Sequence, residues 1–207
     1  SGMLLIFENN EFWTKLVGRF NAFNILTVIA VSKILELHTI SVLKKISKMD
    51  NVNGRFQIFN SKKSIKVIID YAHTPIALEN VLNTINEIRT KNENIITVIG
   101  CGGNRDKKKR PIIGKKAALL SDKVILTSDN PRNENPKKII EDMIKGVSPS
   151  DFKKIIKVTD REKAIMESKK ISQPGDIILI AGKGHENYQE IKGKRNHFDD
   201  YKIVKKY

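Results

Sequence analysis

Apolar runs alternate with helical periods through most of this 207-residue chain, and that alternation constrains the fold more than any other feature. The runs Ile65–Tyr71, Ile95–Ile99, Val124–Thr127, Ile155–Val158 and Ile177–Ala181 are short and nearly continuous in Ile, Val and Leu. Between them lie segments with helical spacing, such as Ile76, Val81, Leu82, Ile85 and Ile88. A strand with no alternating polar face is buried on both sides, which marks a parallel sheet covered by helices. The expectation is an α/β fold with an open, mostly parallel sheet and helices on both faces.

The helix starts agree with this. Thr74-Pro75 and Pro136 open helices, because Thr is a good N-cap and Pro suits the first turn. Pro111 is expected to start a helix to Ser121, and Asp160 to cap one to Ile171. Two hairpins are predicted: Arg55–Phe59 with Ile65–Tyr71 across Asn60-Ser61-Lys62-Lys63, and Tyr188–Ile191 with Arg195–Phe198 across Lys192-Gly193-Lys194. A last helix is expected from Asp199. The first part of the chain has a different character. Leu4–Phe7 and Thr14–Val17 are predicted strands, and Asn21 is the predicted cap of a strongly apolar helix, Ala22–Leu37. A shorter amphipathic helix, Ile40–Lys48, follows. The polar turn from Asp50 to Gly54 divides the chain into regions 1–52 and 53–207.

The formal charge of +15 suggests nucleic acid as a partner. Only eight of the 38 basic residues are Arg, and the lysines are scattered rather than gathered around a binding motif. The run Lys107-Lys108-Lys109-Arg110 is the one local cluster, and it reads as a solvated face. Nucleic acid therefore ranks low. A single Cys101 excludes an internal disulfide framework and points to a reducing, cytoplasmic setting. No apolar run approaches the roughly 18 residues of a membrane span, and no basic-then-apolar leader pattern opens the sequence.

In parallel α/β sheets, ligands bind beyond the carboxyl ends of the strands. The loops there are chemically loaded: Asp70-Tyr71-Ala72-His73-Thr74-Pro75, Gly100-Cys101-Gly102-Gly103-Asn104-Arg105-Asp106, Asp129-Asn130-Pro131-Arg132 and Ala181-Gly182-Lys183-Gly184-His185-Glu186. Plain readings exist for several parts. Gly100–Gly103 can be a tight turn, and it is no dinucleotide fingerprint, because Arg105 stands where the last glycine belongs. Gly182-Lys183-Gly184 lacks the remainder of a phosphate-binding P-loop. Cys101 reads as a small buried residue rather than a nucleophile, and Asp129-Asn130-Pro131 can be a turn. His38, His73, His185 and His197 show no metal spacing, so no metal ligands are assigned. Arg132 and Arg105 are harder to explain structurally, because a guanidinium at the ligand edge suits carboxylate or phosphate. With Glu186 on a third loop, the set suits a zwitterion such as an amino acid.

Six segments in order carry a resemblance: Gly18-Arg19-Phe20-Asn21, Asn53-Gly54-Arg55-Phe56, and the four loops above. Together they resemble the Mur ligases of peptidoglycan synthesis, in the branch that adds the third amino acid of the peptide. The resemblance implies the tail of a central P-loop ATPase domain (1–52), followed by a complete Rossmann-like amino-acid-binding domain (53–207). It implies an ATP- and Mg²⁺-dependent ligase with an acyl phosphate intermediate. The P-loop and magnesium ligands would lie upstream, and this portion alone would be inactive. The implied partners are UDP-N-acetylmuramoyl-L-alanyl-D-glutamate, meso-diaminopimelate, ATP and the enzyme's other domains. Asn24 would lie near adenine, Arg55 would reach the ATP phosphates, and Asp70 and His73 would sit at the nucleotide edge. Arg55 and His73 form the implied catalytic pair. Asp129, Asn130, Pro131 and Arg132 would form the amino-acid motif. Arg132, helped by Arg105, would pair with the second carboxylate of diaminopimelate. Gly182 would allow close backbone approach, and Glu186 would take the distal ammonium. Lanthionine would satisfy the same contacts. A folate polyglutamate or cyanophycin-type ligase is the enzyme alternative, and a basic nucleic-acid-binding module is the alternative of another class.

Overall fold

The computed structural model describes residues 2–61, 64–90 and 92–206. Two compact units make up the chain, Ser1–Val52 and Asn53–Tyr207. In the first, β1 (Met3–Phe7) and β2 (Asn10–Thr14) form an antiparallel hairpin. Glu8 and Asn9 both have positive φ, 48° and 62°, the backbone that a tight two-residue hairpin turn demands. This turn places the second strand earlier than the predicted Thr14–Val17. Leu16 instead joins Phe12, Ile25, Ile29, Leu43 and Ile46 in a small core. Helix α1 (Arg19–Ile34) begins before the predicted Ala22, with Gly18 as N-cap at φ 96°. Asn21 is therefore inside the helix and is not its cap; its Nδ2 donates to the Val17 carbonyl at 2.8 Å. Helix α2 (Thr39–Lys48) buries Leu43 and Ile46. Most apolar residues of α1, among them Phe23, Leu26, Val31 and Ile34, are exposed.

The second unit is built on six strands: β3 (Gln57–Asn60), β4 (Lys66–Asp70), β5 (Ile95–Cys101), β6 (Lys123–Ser128), β7 (Ile155–Lys157) and β8 (Ile177–Ala181). Their order is β3-β4-β8-β5-β6-β7. Only β3 is antiparallel to its neighbour. Lys62 and Lys63 of the predicted first turn lie outside the described residues. The helices are α3 (Pro75–Ile88), α4 (Lys109–Leu120), α5 (Pro136–Ile144), α6 (Arg161–Ile171) and α7 (Asp200–Val204). Side-chain caps fix several starts: Thr74 accepts from the Ala77 amide, Asn135 from Lys137, and Asp160 from Lys163. Helix α4 starts two residues before Pro111, which costs nothing, since amides of the first turn need no helical partner.

Chain direction decides which face each helix covers. The steps β4→β5, β5→β6 and β6→β7 all run one way across the sheet, and right-handed crossovers put α3, α4 and α5 on one face. Accordingly, α3 packs on α4 and α4 on α5. The step β7→β8 runs back, so α6 lies on the opposite face, where it meets α7. Val67, Ile69, Ile96, Val98, Ile125, Ile178 and Ile180 pack there with Ala164, Ile165, Ile203 and Val204. The alternate residues Ile68, Ile99, Leu126 and Leu179 are equally buried, as period-two strands covered on both sides require. The parallel strands all end at one edge, where the loaded loops follow. Beyond β8 lies a hairpin of β9 (Tyr188–Ile191) and β10 (Lys194–His197).

Candidate functional site

At the carboxyl edge, the loop after β5 and the loop after β6 lie backbone against backbone. Gly103 donates its amide to the Asn130 carbonyl at 2.8 Å. A Cβ at Gly103 would sit 1.9 Å from the Pro131 carbonyl oxygen, so only glycine permits this approach. Arg110 fastens the two loops from below. Its guanidinium makes two 2.9 Å bonds to Glu134, one of 3.1 Å to Asp142, and one of 3.3 Å to the Gly102 carbonyl. The bidentate pairing with Arg110 pulls the Glu134 carboxyl down to about 2. This corrects the reading of Lys107–Arg110 as a solvated face. The three lysines are exposed, but the Arg110 side chain is only 2% exposed.

These loops surround a cavity of about 600 Å³. His73, Arg105, Asp129, Asn130, Arg132, Gly182 and Glu186, all singled out in the sequence, line it together. One wall is cationic, with exposed Arg105 and half-buried Arg132. Arg132 Nη1 donates to the Gly103 carbonyl at 2.8 Å, and its Nε pairs with Glu190 at 3.3 Å. An acidic part of the lining, the acidic wall, is formed by Asp129 and Glu186. Cys101 also lines the cavity, but burial, then the charge of Asp129, pushes its thiol up to about 12. It stays protonated and is a poor nucleophile.

The acidic wall is organised by a residue that sequence reasoning missed. The Lys183 side chain is 0% exposed. Its Nζ lies 3.2 Å from Asp129 Oδ1 and 3.2 Å from Glu186 Oε2, and it donates to Asn130 Oδ1 at 3.0 Å and to the Tyr188 carbonyl at 2.7 Å. Glu186 Oε2 also accepts from Asn130 Nδ2 at 3.0 Å. Asn130 thus spends both ends of its amide inside the protein and shapes the pocket from within. One buried ammonium serves two carboxylates, so a formal negative charge is left over on this wall. The available signal was a Lys between two glycines directly after the most apolar strand.

Other expected residues fall elsewhere. Pro131 does not line this cavity; it faces a second hollow beyond the loop, shared with Asn133 and Thr159. Asp70 is buried, and its two oxygens accept from the Phe56 and Ala72 amides at 2.7 Å each. It anchors the start of β3 to the end of β4 and is not among the residues that line the cavity. Burial pushes its carboxyl up despite those bonds. Arg55 stacks on the Tyr71 ring, 4.4 Å from its centroid, and reaches the cavity only through that ring. His73 Nδ1 lies 2.9 Å from the Tyr71 carbonyl. Asn24 is exposed in the first unit and bonds Asn21. Among the described residues, no group of three His, Cys, Asp or Glu side chains could hold a metal ion.

A family model described as the Mur ligase, glutamate ligase domain matches residues 54–184. The chain belongs to the Mur ligase family. Curated relatives at this similarity are named UDP-N-acetylmuramoyl-L-alanyl-D-glutamate--2,6-diaminopimelate ligase. The one from Bacteroides thetaiotaomicron is 50% identical over 99% of this chain and 42% of its own length. The one from Aquifex aeolicus is 47% identical over 94% of this chain and 39% of its own. This chain thus spans about 42% of the length of the curated relatives it matches. A solved structure of an enzyme with the same name superposes with a TM-score of 0.71 at 36% identity, covering 99% of this chain and 42% of that one. UDP-N-acetylmuramate-alanine ligase from Thermotoga maritima gives 0.65 at 25% identity, covering 95% of this chain and 39% of that one. Folylpolyglutamate synthase from Thermotoga maritima, at 19% identity and a TM-score of 0.61 over 84% of this chain and 38% of that one, shares the fold. The mostly parallel α/β sheet with helices on both faces is the Mur ligase architecture expected from the sequence. No helix among the described residues is long and apolar enough to cross a membrane.

Proposed function

We propose that residues 53–207 form the amino-acid-binding domain of a cytoplasmic ATP-dependent ligase. The enzyme adds meso-diaminopimelate, or an analogue with the same two amino-acid ends, to UDP-N-acetylmuramoyl-L-alanyl-D-glutamate. Residues 1–52 are then the end of its central ATP-binding domain, and the exposed apolar residues of α1 belong under the rest of that domain. The observation that carries the reading is one cavity lined by Arg132 and Arg105 together with Asp129 and Glu186.

Diaminopimelate carries a second ammonium and carboxylate at its far end. Arg132 has Nη2 without a hydrogen bond within the protein among the described residues, and one further N–H on Nη1. That edge suits the two oxygens of a carboxylate. Glu186 holds Lys183 and Asn130 through Oε2, and its Oε1 remains for the ammonium. Gly182, at φ 111°, has no side chain to obstruct a ligand. ATP converts the acceptor carboxylate to an acyl phosphate, and magnesium belongs with the upstream domains. Here the work of the chain is to hold the amine in place for attack. Arg55 and His73 are assigned to orienting phosphate at the Tyr71 side.

The test uses the complete enzyme with its upstream domains. Wild type should add diaminopimelate far better than lysine, because lysine brings no carboxylate to the terminal edge of Arg132, a loss of a few kcal/mol, or about a hundredfold. Arg132→Ala should lower kcat/KM for diaminopimelate by about a hundredfold and leave the KM for ATP within about twofold. Unchanged diaminopimelate kinetics would sink the assignment.

A further inference from the structure

Arg132 is held in an unusual way. Its φ is +50°, in the left-handed region that residues with a Cβ seldom adopt. Such a conformation is strained and persists where its surroundings hold it. What holds it is β9. The Arg132 amide donates to the Glu190 carbonyl at 3.0 Å, and the Lys192 amide donates to the Arg132 carbonyl at 2.8 Å. This makes a bridge between Arg132 and Ile191. The same strand grips the rest of the loop. The Glu190 amide donates to Asn130 Oδ1 at 3.0 Å, and Gln189 Nε2 to the Asp129 carbonyl at 2.6 Å.

Glu190 adds a side-chain contact to this backbone brace. Its Oε2 lies 3.3 Å from Arg132 Nε. The Gly103 carbonyl takes Nη1 from another direction at 2.8 Å. A guanidinium is planar, so two fixed directions define its plane. What remains is the terminal edge, with Nη2 and the second N–H of Nη1. Gly102 leaves room for this pose, since a Cβ there would lie 3.0 Å from Arg132 Nη1.

The geometry points to Glu190 as a positioning residue that sets acceptor specificity by orienting the Arg132 guanidinium. This rests on the amino-acid-binding reading above. Glu190 is not among the residues that line the cavity. It occupies Nε and so presents the terminal edge of Arg132 to an incoming carboxylate. Without Glu190 the long side chain is free to swing, and the ligand must order it on binding.

The experiment compares Glu190→Ala and Glu190→Gln in the complete enzyme, with diaminopimelate, lysine and ATP varied in turn. Glu190→Ala should raise the KM for diaminopimelate by about tenfold, with the KM for ATP and kcat changed less than about twofold. The preference for diaminopimelate over lysine should fall by a similar factor. Glu190→Gln should recover most of the loss, because its oxygen can still lie against Nε. Thermal unfolding of each variant is the control for folding. A diaminopimelate KM within about twofold of wild type in Glu190→Ala overturns the proposal. So does a rise shared equally by ATP, or a loss that Gln fails to relieve. Wild-type turnover tests the underlying reading separately: an enzyme that ignores diaminopimelate refutes that reading before any variant is compared.

Discussion

Replacing Lys183 by Met tests whether the acidic wall depends on one buried charge. Met keeps the length of the side chain and removes the ammonium. Four contacts of 2.7–3.2 Å disappear, to Asp129, Glu186, Asn130 and the Tyr188 carbonyl. Breaking a buried ion pair by removing one partner typically costs about 3–5 kcal/mol, because the other charge stays behind. Here two carboxylates stay behind, but their side chains are 11% and 18% exposed. Water relieves part of the loss, so about 3 kcal/mol is the expected cost. For a unit of this size that is a fall of about 6–12 °C in Tm. Far-UV circular dichroism during heating reports the loss. The only Trp, Trp13, lies in the first unit, so its fluorescence shows whether that unit still melts as in wild type. Adding Glu186→Gln should restore part of the stability by removing one stranded charge. A cost below about 1 kcal/mol for Lys183→Met would refute the argument that this lysine holds the wall together.

Two further outcomes follow from the shifted groups. Arg110 holds Glu134 at about 2 in the folded chain against an ordinary 4.5. Glu134 is a depressed acid, so its contribution is complete above about pH 4.5 and is lost as pH falls toward 2. Discounted for its 20% exposed side chain, that contribution is about 1–3 kcal/mol. Urea unfolding between pH 5 and 3 should show a shallower loss of stability in Glu134→Gln than in wild type; equal slopes would count against the pairing. Cys101, with its thiol near 12 and buried, should resist iodoacetamide at pH 8 in the folded protein and react once urea is added. Rapid labelling of the native chain, seen by mass spectrometry, would contradict this.

The strands and most helices were legible because period and capping are local. Ile177–Ala181 is a fully buried strand in any reading of its residues, and Thr74, Asn135 and Asp160 cap helices as their chemistry dictates. The misses have physical causes as well. Asn21 looked like a cap, but Gly18 takes the required backbone conformation first. The second strand was misplaced because Glu8 and Asn9, with no glycine between them, still make a positive-φ turn.

At the site, the loops were legible and the pairings were not. Arg110 looked like one more member of a basic run, because its partners Glu134 and Asp142 lie 24 and 32 residues away. Lys183 looked like half of a failed P-loop, because Asn130 lies 53 residues away. Asp70 looked free in the sequence, whereas in the fold it is buried and accepts from two backbone amides. Sequence shows which charges a loop carries, and only the fold shows which of them are already neutralised. Arg110 and Lys183 are committed to the protein's own carboxylates, while Arg105 is exposed and Arg132 is only partly paired. The charge that a ligand meets at this cavity is set by these local pairings, and not by the formal +15, which already counts every carboxylate. In the function proposed above, recognition rests on the terminal edge of Arg132 and on the single uncompensated negative charge shared by Asp129 and Glu186. That arrangement favours a ligand bearing one carboxylate and one ammonium at the same end, and it gives a polyanion little to hold.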